Sequence, residues 1–140
     1  MEIDPEAIQE ELKTFTVELV PDPALQQIGD LFAKVQGYRE RVSYILGCVR
    51  MAKMQTEFQF DIAFAEKFQK ISQDGSKKTL DEKKSICILE LKEEKGNVVV
   101  LEALEEIVKL KLQQLISANE NVSRQLSVVQ EQLRLGERTK

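Results

Sequence analysis

Residues 28–52, IGDLFAKVQGYRERVSYILGCVRMA, decide the fold of this 140-residue chain. An apolar residue recurs there every seven positions, and a second series follows three positions after the first. The two series are Ile28, Val35, Val42 and Val49, and Leu31, Tyr38, Ile45 and Ala52. Two such series over four repeats, with a β-branched residue at each position of the first, predict a long helix that packs along one stripe.

A second stretch with the same period lies nearer the C-terminus. Its first series is Leu101, Val108, Leu115, Val122 and Val129, and Leu104, Leu112, Ala118, Leu126 and Leu133 lie in or beside its second series. Two heptad helices joined by about 25 residues of shorter structure predict an antiparallel pair. The predicted fold class is therefore all-α: a long antiparallel helical hairpin with coiled-coil-like packing, in an oligomer.

Breaks in these patterns set the predicted boundaries. An acidic segment over 1–20 precedes a helical assembly domain over 21–140. Within that domain we predict a long helix over about 23–72, a basic linker over 73–79, a short helix over about 80–94 and a long helix over about 97–134. Pro21 and Pro23 separate the first two parts. Thr79 and Glu82 have the spacing of a capping box, which predicts that the short helix begins there.

Two segments need separate interpretation. Asp4-Pro5 is a helix-start signal, and the alternating residues 15–19, FTVEL, are predicted to leave that first helix and run extended. Residues 86–101, ICILELKEEKGNVVVL, fit either a short helix, a break at Gly96-Asn97 and a new helix, or a β-hairpin around KEEKG. We favour helices because the heptad order resumes immediately afterwards.

The phenylalanine-rich residues 57–68, EFQFDIAFAEKF, are apolar on more than one side of a helix. Such a helix must be covered on more than one side, which predicts a second subunit. The residues predicted to lie in the core or in an interface between copies are Val35, Val42, Val49, Phe58, Phe60, Phe64, Leu115 and Val122.

The composition argues against catalysis. The chain has no histidine, the commonest general base and transition-metal ligand. It also lacks a glycine-rich phosphate loop, a nucleophile elbow, a Cys-x-x-Cys pair and a calcium loop. We therefore expect no enzymatic activity, no cofactor and no metal. Cys48 and Cys87 are interpreted as free thiols, and the acid pairs Glu93-Glu94 and Glu105-Glu106 as solvated helix faces.

Two further features of the sequence indicate where in the cell the protein is located. No apolar run approaches the roughly 18 residues that a membrane span needs, and the first residues, MEIDPEAIQEEL, are acidic where a secretory signal would be basic and then apolar. We expect a cytoplasmic protein.

The net charge of −4 is unevenly distributed. Residues 1–30 hold eight acids and one lysine, whereas residues 31–56 hold five basic residues and one acid, and residues 66–84 hold six lysines and four acids. Repeated in an assembly of copies, this basic middle could follow a phosphate backbone. The candidate DNA-binding residues are Arg39, Arg41, Arg50, Lys53, Lys67, Lys70, Lys77 and Lys78. Alternatively, they pair with neighbouring acids.

From about Leu25 onward, the order of elements resembles that of phage recombination mediators of the UvsY type, as do KMQTEFQF at 53–60 and SKKTLDEKK at 76–84. The resemblance implies a homo-oligomer, a ring, that binds single-stranded DNA in the cytoplasm of a bacterial host. It implies a role in loading a recombinase onto strands covered by a single-strand-binding protein.

Within that family the DNA contacts are attributed to basic residues of the long helix, which here correspond to Arg50 and Lys53. Glu57 and Asp61 depart from the family pattern, which is more basic at those positions. The competing hypothesis is a structural or chaperone-like coiled-coil adaptor protein without DNA binding. Its basic residues would serve only to solvate the fold.

Overall fold

The computed structural model describes residues 3–18, 25–75 and 77–138, without the side chains of the last two. Helices make up all the regular structure of these residues: α1 is Pro5–Lys13, α2 is Leu25–Gln73, α3 is Leu80–Glu90 and α4 is Lys92–Arg138. The long helices α2 and α4 pack antiparallel, which confirms the predicted all-α helical hairpin. No described helix is both long and apolar enough to cross a membrane.

The N-terminal helix α1 begins at Pro5, directly after Asp4, as that pair predicts. Residues 15–18 then leave the helix, in agreement with their alternating pattern. Leu12 and Phe15 are buried, and the ring centroid of Phe15 lies 5.0 Å from that of Tyr38 on α2. These contacts place α1 and its extended continuation against α2. The predicted helix start at Pro23 lies outside the described residues.

The N-terminus of α3 has the predicted capping box. The Thr79 hydroxyl accepts a hydrogen bond from the Glu82 backbone N–H at 3.2 Å, and the Glu82 carboxylate accepts one from the Thr79 N–H at 3.4 Å. Two backbone donors that a helix start leaves without partners are thereby satisfied. The connection before it contains Gly75, whose φ of +69° lies in the left-handed region that glycine tolerates best.

The break between the last two helices is at Leu91 and not, as predicted, at Gly96-Asn97. Leu91 has φ −103° and ψ 25°, yet its N–H donates to the Cys87 carbonyl at 3.0 Å and its own carbonyl accepts from Lys95 at 2.9 Å. Helical hydrogen bonding therefore runs through this residue. Gly96 in a helix costs only about 1 kcal/mol relative to alanine, and burial of the nearby Val98 offsets that cost. The β-hairpin alternative for residues 86–101 is wrong.

Contacts divide the chain into two units, and α2 and α4 each contribute residues to both. Unit 1 comprises Met1–Pro5 and Gly47–Glu106, and unit 2 comprises Glu6–Leu46 and Ile107–Lys140. The core of unit 1 includes Val49, Ala52, Cys87, Leu91, Val98, Leu101 and Leu104, and that of unit 2 includes Leu12, Ile28, Val35, Val42, Ile45, Val108, Leu115 and Val122. In both units the first seven-residue series, apart from the half-buried Val129, is buried in the seam between the long helices, whereas several members of the second series are half-buried and Leu133 is exposed.

Replacing Leu115 with alanine should lower the free energy of unfolding by about 2–5 kcal/mol, because removing a buried leucine side chain leaves a cavity. Leu115 is 1% exposed, whereas Leu110 on the same helix is 58% exposed. Urea unfolding followed by circular dichroism gives both values. The matched variant Leu110→Ala should cost less than about 1 kcal/mol. Equal losses for the two variants would contradict the assigned seam.

Candidate interaction surface

The second half of α2 carries an apolar surface that the described residues of its own unit leave largely exposed. Its members recur at intervals of three and four residues, which places them along one side of a helix. We call this surface the outer stripe; it consists of Gly47, Met51, Met54, Phe58, Ile62 and Ala65. Met54 and Phe58 are 69% and 66% exposed. Exposed methionine and phenylalanine at helical spacing indicate an interaction surface.

A second group of aromatic rings lies beside the outer stripe on the same helix. The ring centroids of Phe60 and Phe64 are 6.1 Å apart, and those of Phe64 and Phe68 are 6.4 Å apart. All three side chains are half-buried, and Lys95 Nζ lies 5.3 Å from the centroid of Phe60. This aromatic cluster is thus partly covered by α4.

The residues predicted for the core or an interface fall into three groups. Val35, Val42, Val49, Leu115 and Val122 are buried in the seam; Phe60 and Phe64 are half-buried in the aromatic cluster; and Phe58 is exposed. Phe58 is therefore not a core residue of the single chain, because it projects from α2 away from the α2–α4 seam. Its place in an interface between copies stays a prediction.

Further apolar side chains are exposed on the other helices. They are Leu80, Ile88 and Leu89 on α3 and Val99, Val100, Ile107, Leu110, Val128, Leu133 and Leu135 on α4. On α4, Val100, Ile107 and Leu110 also recur at helical spacing. The outer stripe extends over six positions and lies entirely within unit 1.

Four of the eight candidate DNA-binding residues pair with acids, which is the alternative interpretation that the sequence left open for them. In unit 1, Lys53 Nζ donates to Glu105 at 3.1 Å, Arg50 Nε lies 3.9 Å from the other oxygen of Glu105, and Lys67 Nζ lies 2.7 Å from Glu90. In unit 2, Arg41 Nε donates to Glu11 at 2.6 Å. A phosphate group would have to compete with these carboxylates.

Glu105 is an ion-pairing residue whose burial the sequence pattern does not reveal. The pattern indicates a solvated helix face, but Glu105 is only 8% exposed and is the ion-pair partner of both Lys53 and Arg50. The reason is its position in the helix: it follows the buried Leu104 and precedes the buried Val108 by three residues. A residue on the flank of the seam is shielded by the opposite helix, and this position is the signal that could have found it.

The other four candidates are arranged differently. Arg39 is half-buried, whereas Lys70, Lys77 and Lys78 are exposed. No acid of the described residues lies within ion-pairing distance of any of the four. Lys77 and Lys78 lie in the connection between α2 and α3, and the exposed Lys84 follows on the first turns of α3. We call Lys70, Lys77, Lys78 and Lys84 the lysine group.

Open grooves of moderate size lie among the described residues of both units. The groove of unit 1, about 580 Å³, is lined by Ile3, Pro5, Ala52, Thr56, Gln59, Asn97, Val100 and Leu101. The groove of unit 2, about 330 Å³, includes Leu12, Ile107 and Leu110. Uncharged side chains line the first, and among the described residues no group of three acids or thiols is arranged to hold a metal ion.

Comparison with known proteins gives no family assignment. No family model matches the chain, and neither curated proteins nor solved structures give a significant match. The resemblance to recombination mediators therefore stays a prediction from the sequence.

Replacing Glu105 with glutamine should lower the free energy of unfolding by about 1–3 kcal/mol, because the variant leaves Lys53 and Arg50 without their counter-charge. The loss is smaller than for a fully buried pair since the two basic side chains are 26% and 53% exposed. Thermal unfolding by calorimetry measures it. The matched variant Glu102→Gln, at an exposed position of the same helix, should be nearly neutral. A neutral Glu105→Gln would show that these ion pairs do not stabilise the fold.

Proposed function

We propose that this chain is a non-enzymatic, self-assembling accessory protein of phage DNA recombination that binds single-stranded DNA and helps to load a recombinase. Two features support self-assembly: a seam that buries one side of each long helix, and an outer stripe that its own unit leaves exposed. Contiguous exposed apolar surface on a folded chain marks a site of association.

The lysine group is the observation that supports DNA binding. These lysines are exposed and lack acidic partners among the described residues, so a phosphate backbone would not have to displace a carboxylate. Electrostatic contact with phosphates gains free energy mainly by releasing counterions, and it requires no buried pocket. Repetition of the lysine group in an assembly would compensate for the low charge density of one copy.

We therefore propose DNA contacts near the C-terminal end of α2, and not in its middle as the family resemblance implies. Arg50 and Lys53, the positions that the family resemblance indicates, are engaged with Glu105. Lys77 and Lys78 lie in SKKTLDEKK, which is also part of that resemblance. The connection between α2 and α3 is therefore the surface on which we place the primary contact.

A coiled-coil adaptor without DNA binding is the second candidate. It is favoured by the pairing of Arg41, Arg50, Lys53 and Lys67 with acids, and by a pI of about 5.1, which opposes binding to a polyanion. In that case the basic residues stabilise the fold, and the outer stripe binds a protein partner.

Fluorescence anisotropy with a labelled oligodeoxythymidine separates the two candidates. The double variant Lys77→Glu/Lys78→Glu should bind at least about tenfold more weakly than the natural chain at low salt, and the slope of log affinity against log salt should fall by roughly 0.7 for each phosphate that is no longer neutralised. The control Lys92→Glu/Arg124→Glu makes the same change in net charge at exposed positions elsewhere. It should lose less affinity.

Equal losses in both double variants would mean that net charge, and not the lysine group, governs binding. Absence of binding by the natural chain at micromolar concentration in low salt would remove the DNA function. That result, together with a stable oligomer, would select the adaptor function.

A further inference from the structure

The outer stripe is a narrow apolar face on the second half of α2. At 100° per residue, its six positions all project within about 40° of the direction of Phe58, and they extend over about 27 Å of helix. Such a narrow stripe at three- and four-residue spacing is the pattern of a coiled-coil seam. It is separate from the α2–α4 seam, whose members Val49 and Ala52 are buried on the same helix.

Polar residues on the two sides of the outer stripe differ in charge. Arg50 and Asp61 lie on one side of it, about 80° and 60° from Phe58, and Gln55 and Glu66 lie on the other side at similar angles. Asp61 and Glu66 are exposed, and neither has a basic partner among the described residues. Arg50 is 53% exposed and approaches Glu105 only to 3.9 Å. The two carboxylates remain available to another chain, and Arg50 would share its charge between Glu105 and a carboxylate of that chain.

We propose that two copies of this chain pair antiparallel through the outer stripe, about a two-fold axis level with Thr56. Helical geometry then brings Met54 of each copy opposite Phe58 of the other, and Met51 opposite Ile62. A methionine sulfur against an aromatic ring is a favourable contact. Gly47 meets Ala65 at each end, and two small residues there allow the helices to approach closely.

Charge complementarity selects this direction of pairing. In the antiparallel arrangement, residues on the same side of the stripe face each other. Arg50 of each copy therefore lies opposite Asp61 of the other copy at nearly the same height along the helices. Glu57 lies one helical turn from Asp61. In a parallel arrangement, a residue on one side of the stripe faces the residue five positions later, on the opposite side of the stripe, in the other copy. Asp61 would then face Glu66 of the other copy. Two carboxylates facing each other repel, whereas an arginine and a carboxylate attract.

The size of the contact indicates a reversible dimer. The outer stripe and its flanking residues would bury roughly 1,000 Å² in total, which is close to the lower limit for specific interfaces. This inference rests on the proposed self-assembly and adds to it the surface, the direction and the register of one contact.

Cysteine cross-linking tests direction and register together. In a Cys48→Ser background, which leaves only the buried Cys87, one preparation carries Met51→Cys and another carries Ile62→Cys. The antiparallel dimer places residue 51 within bonding reach of residue 62 of the other copy, but holds the two copies of residue 51 about 15 Å apart along the helices. Mild oxidation should therefore link the mixture and neither preparation alone.

Cross-linking of each preparation alone, with none specific to the mixture, would establish parallel pairing and overturn the inference. No cross-linking in any sample, while the natural chain still sediments as an oligomer, would overturn the inference and leave self-assembly standing. A natural chain that sediments as a monomer up to about 100 µM would remove both. DNA binding is measured separately and is unaffected by these outcomes.

Sedimentation of three variants supplies a second test that leaves the core of the chain intact. Phe58→Glu should weaken association at least about thirtyfold, whereas Leu89→Glu, an equally drastic change at a 73% exposed residue of α3, should leave it within about threefold. Asp61→Lys should also weaken association, because the introduced ammonium group would face the guanidinium of Arg50 in the other copy. In a parallel dimer the same change would strengthen association by removing the repulsion from Glu66, and that sign would overturn the inference.

Discussion

The seam of β-branched and leucine side chains between α2 and α4 is the constraint on which the rest of the structure depends. Val35, Val42, Val49, Val108 and Val122 are completely buried along it. A two-helix seam buries one stripe of each helix, so apolar residues of α2 that face away from α4, such as Met54 and Phe58, stay exposed. The outer stripe and the exposed apolar residues of α3 and α4 follow from that geometry.

Electrostatics follow the same seam. Glu105 is buried because it flanks the buried Leu104 and Val108 on α4, and its charge draws Lys53 and Arg50 towards α4. Part of the basic middle of the chain thus stabilises the hairpin. Among the basic residues that remain exposed without acidic partners in the described parts of the chain, Lys70, Lys77 and Lys78 lie towards and within the connection between α2 and α3. The surface proposed for self-assembly is therefore separate from the surface proposed for DNA.

The sequence predicts the hairpin well because its strongest signal is a seven-residue period, which can be recognised without any information about tertiary contacts. The capping box at Thr79 and Glu82 is predicted equally well because it depends on neighbours alone. Three features cannot be predicted from the apolar period of a single helix. The break at Leu91 has no glycine or proline to mark it, the burial of Glu105 depends on α2 lying opposite, and the exposure of Phe58 depends on which stripe of α2 meets α4. Each is decided by packing between distant segments.

Mass in solution tests most directly whether one copy leaves apolar surface that another copy must cover. Light scattering of the natural chain over about 1–100 µM should show a weight-average mass that rises from near 16.0 kDa, the mass of one copy, towards twice that value or beyond it. A mass that stays at 16.0 kDa over the whole range would contradict self-assembly, because the exposed methionine and phenylalanine side chains of α2 would then need no partner.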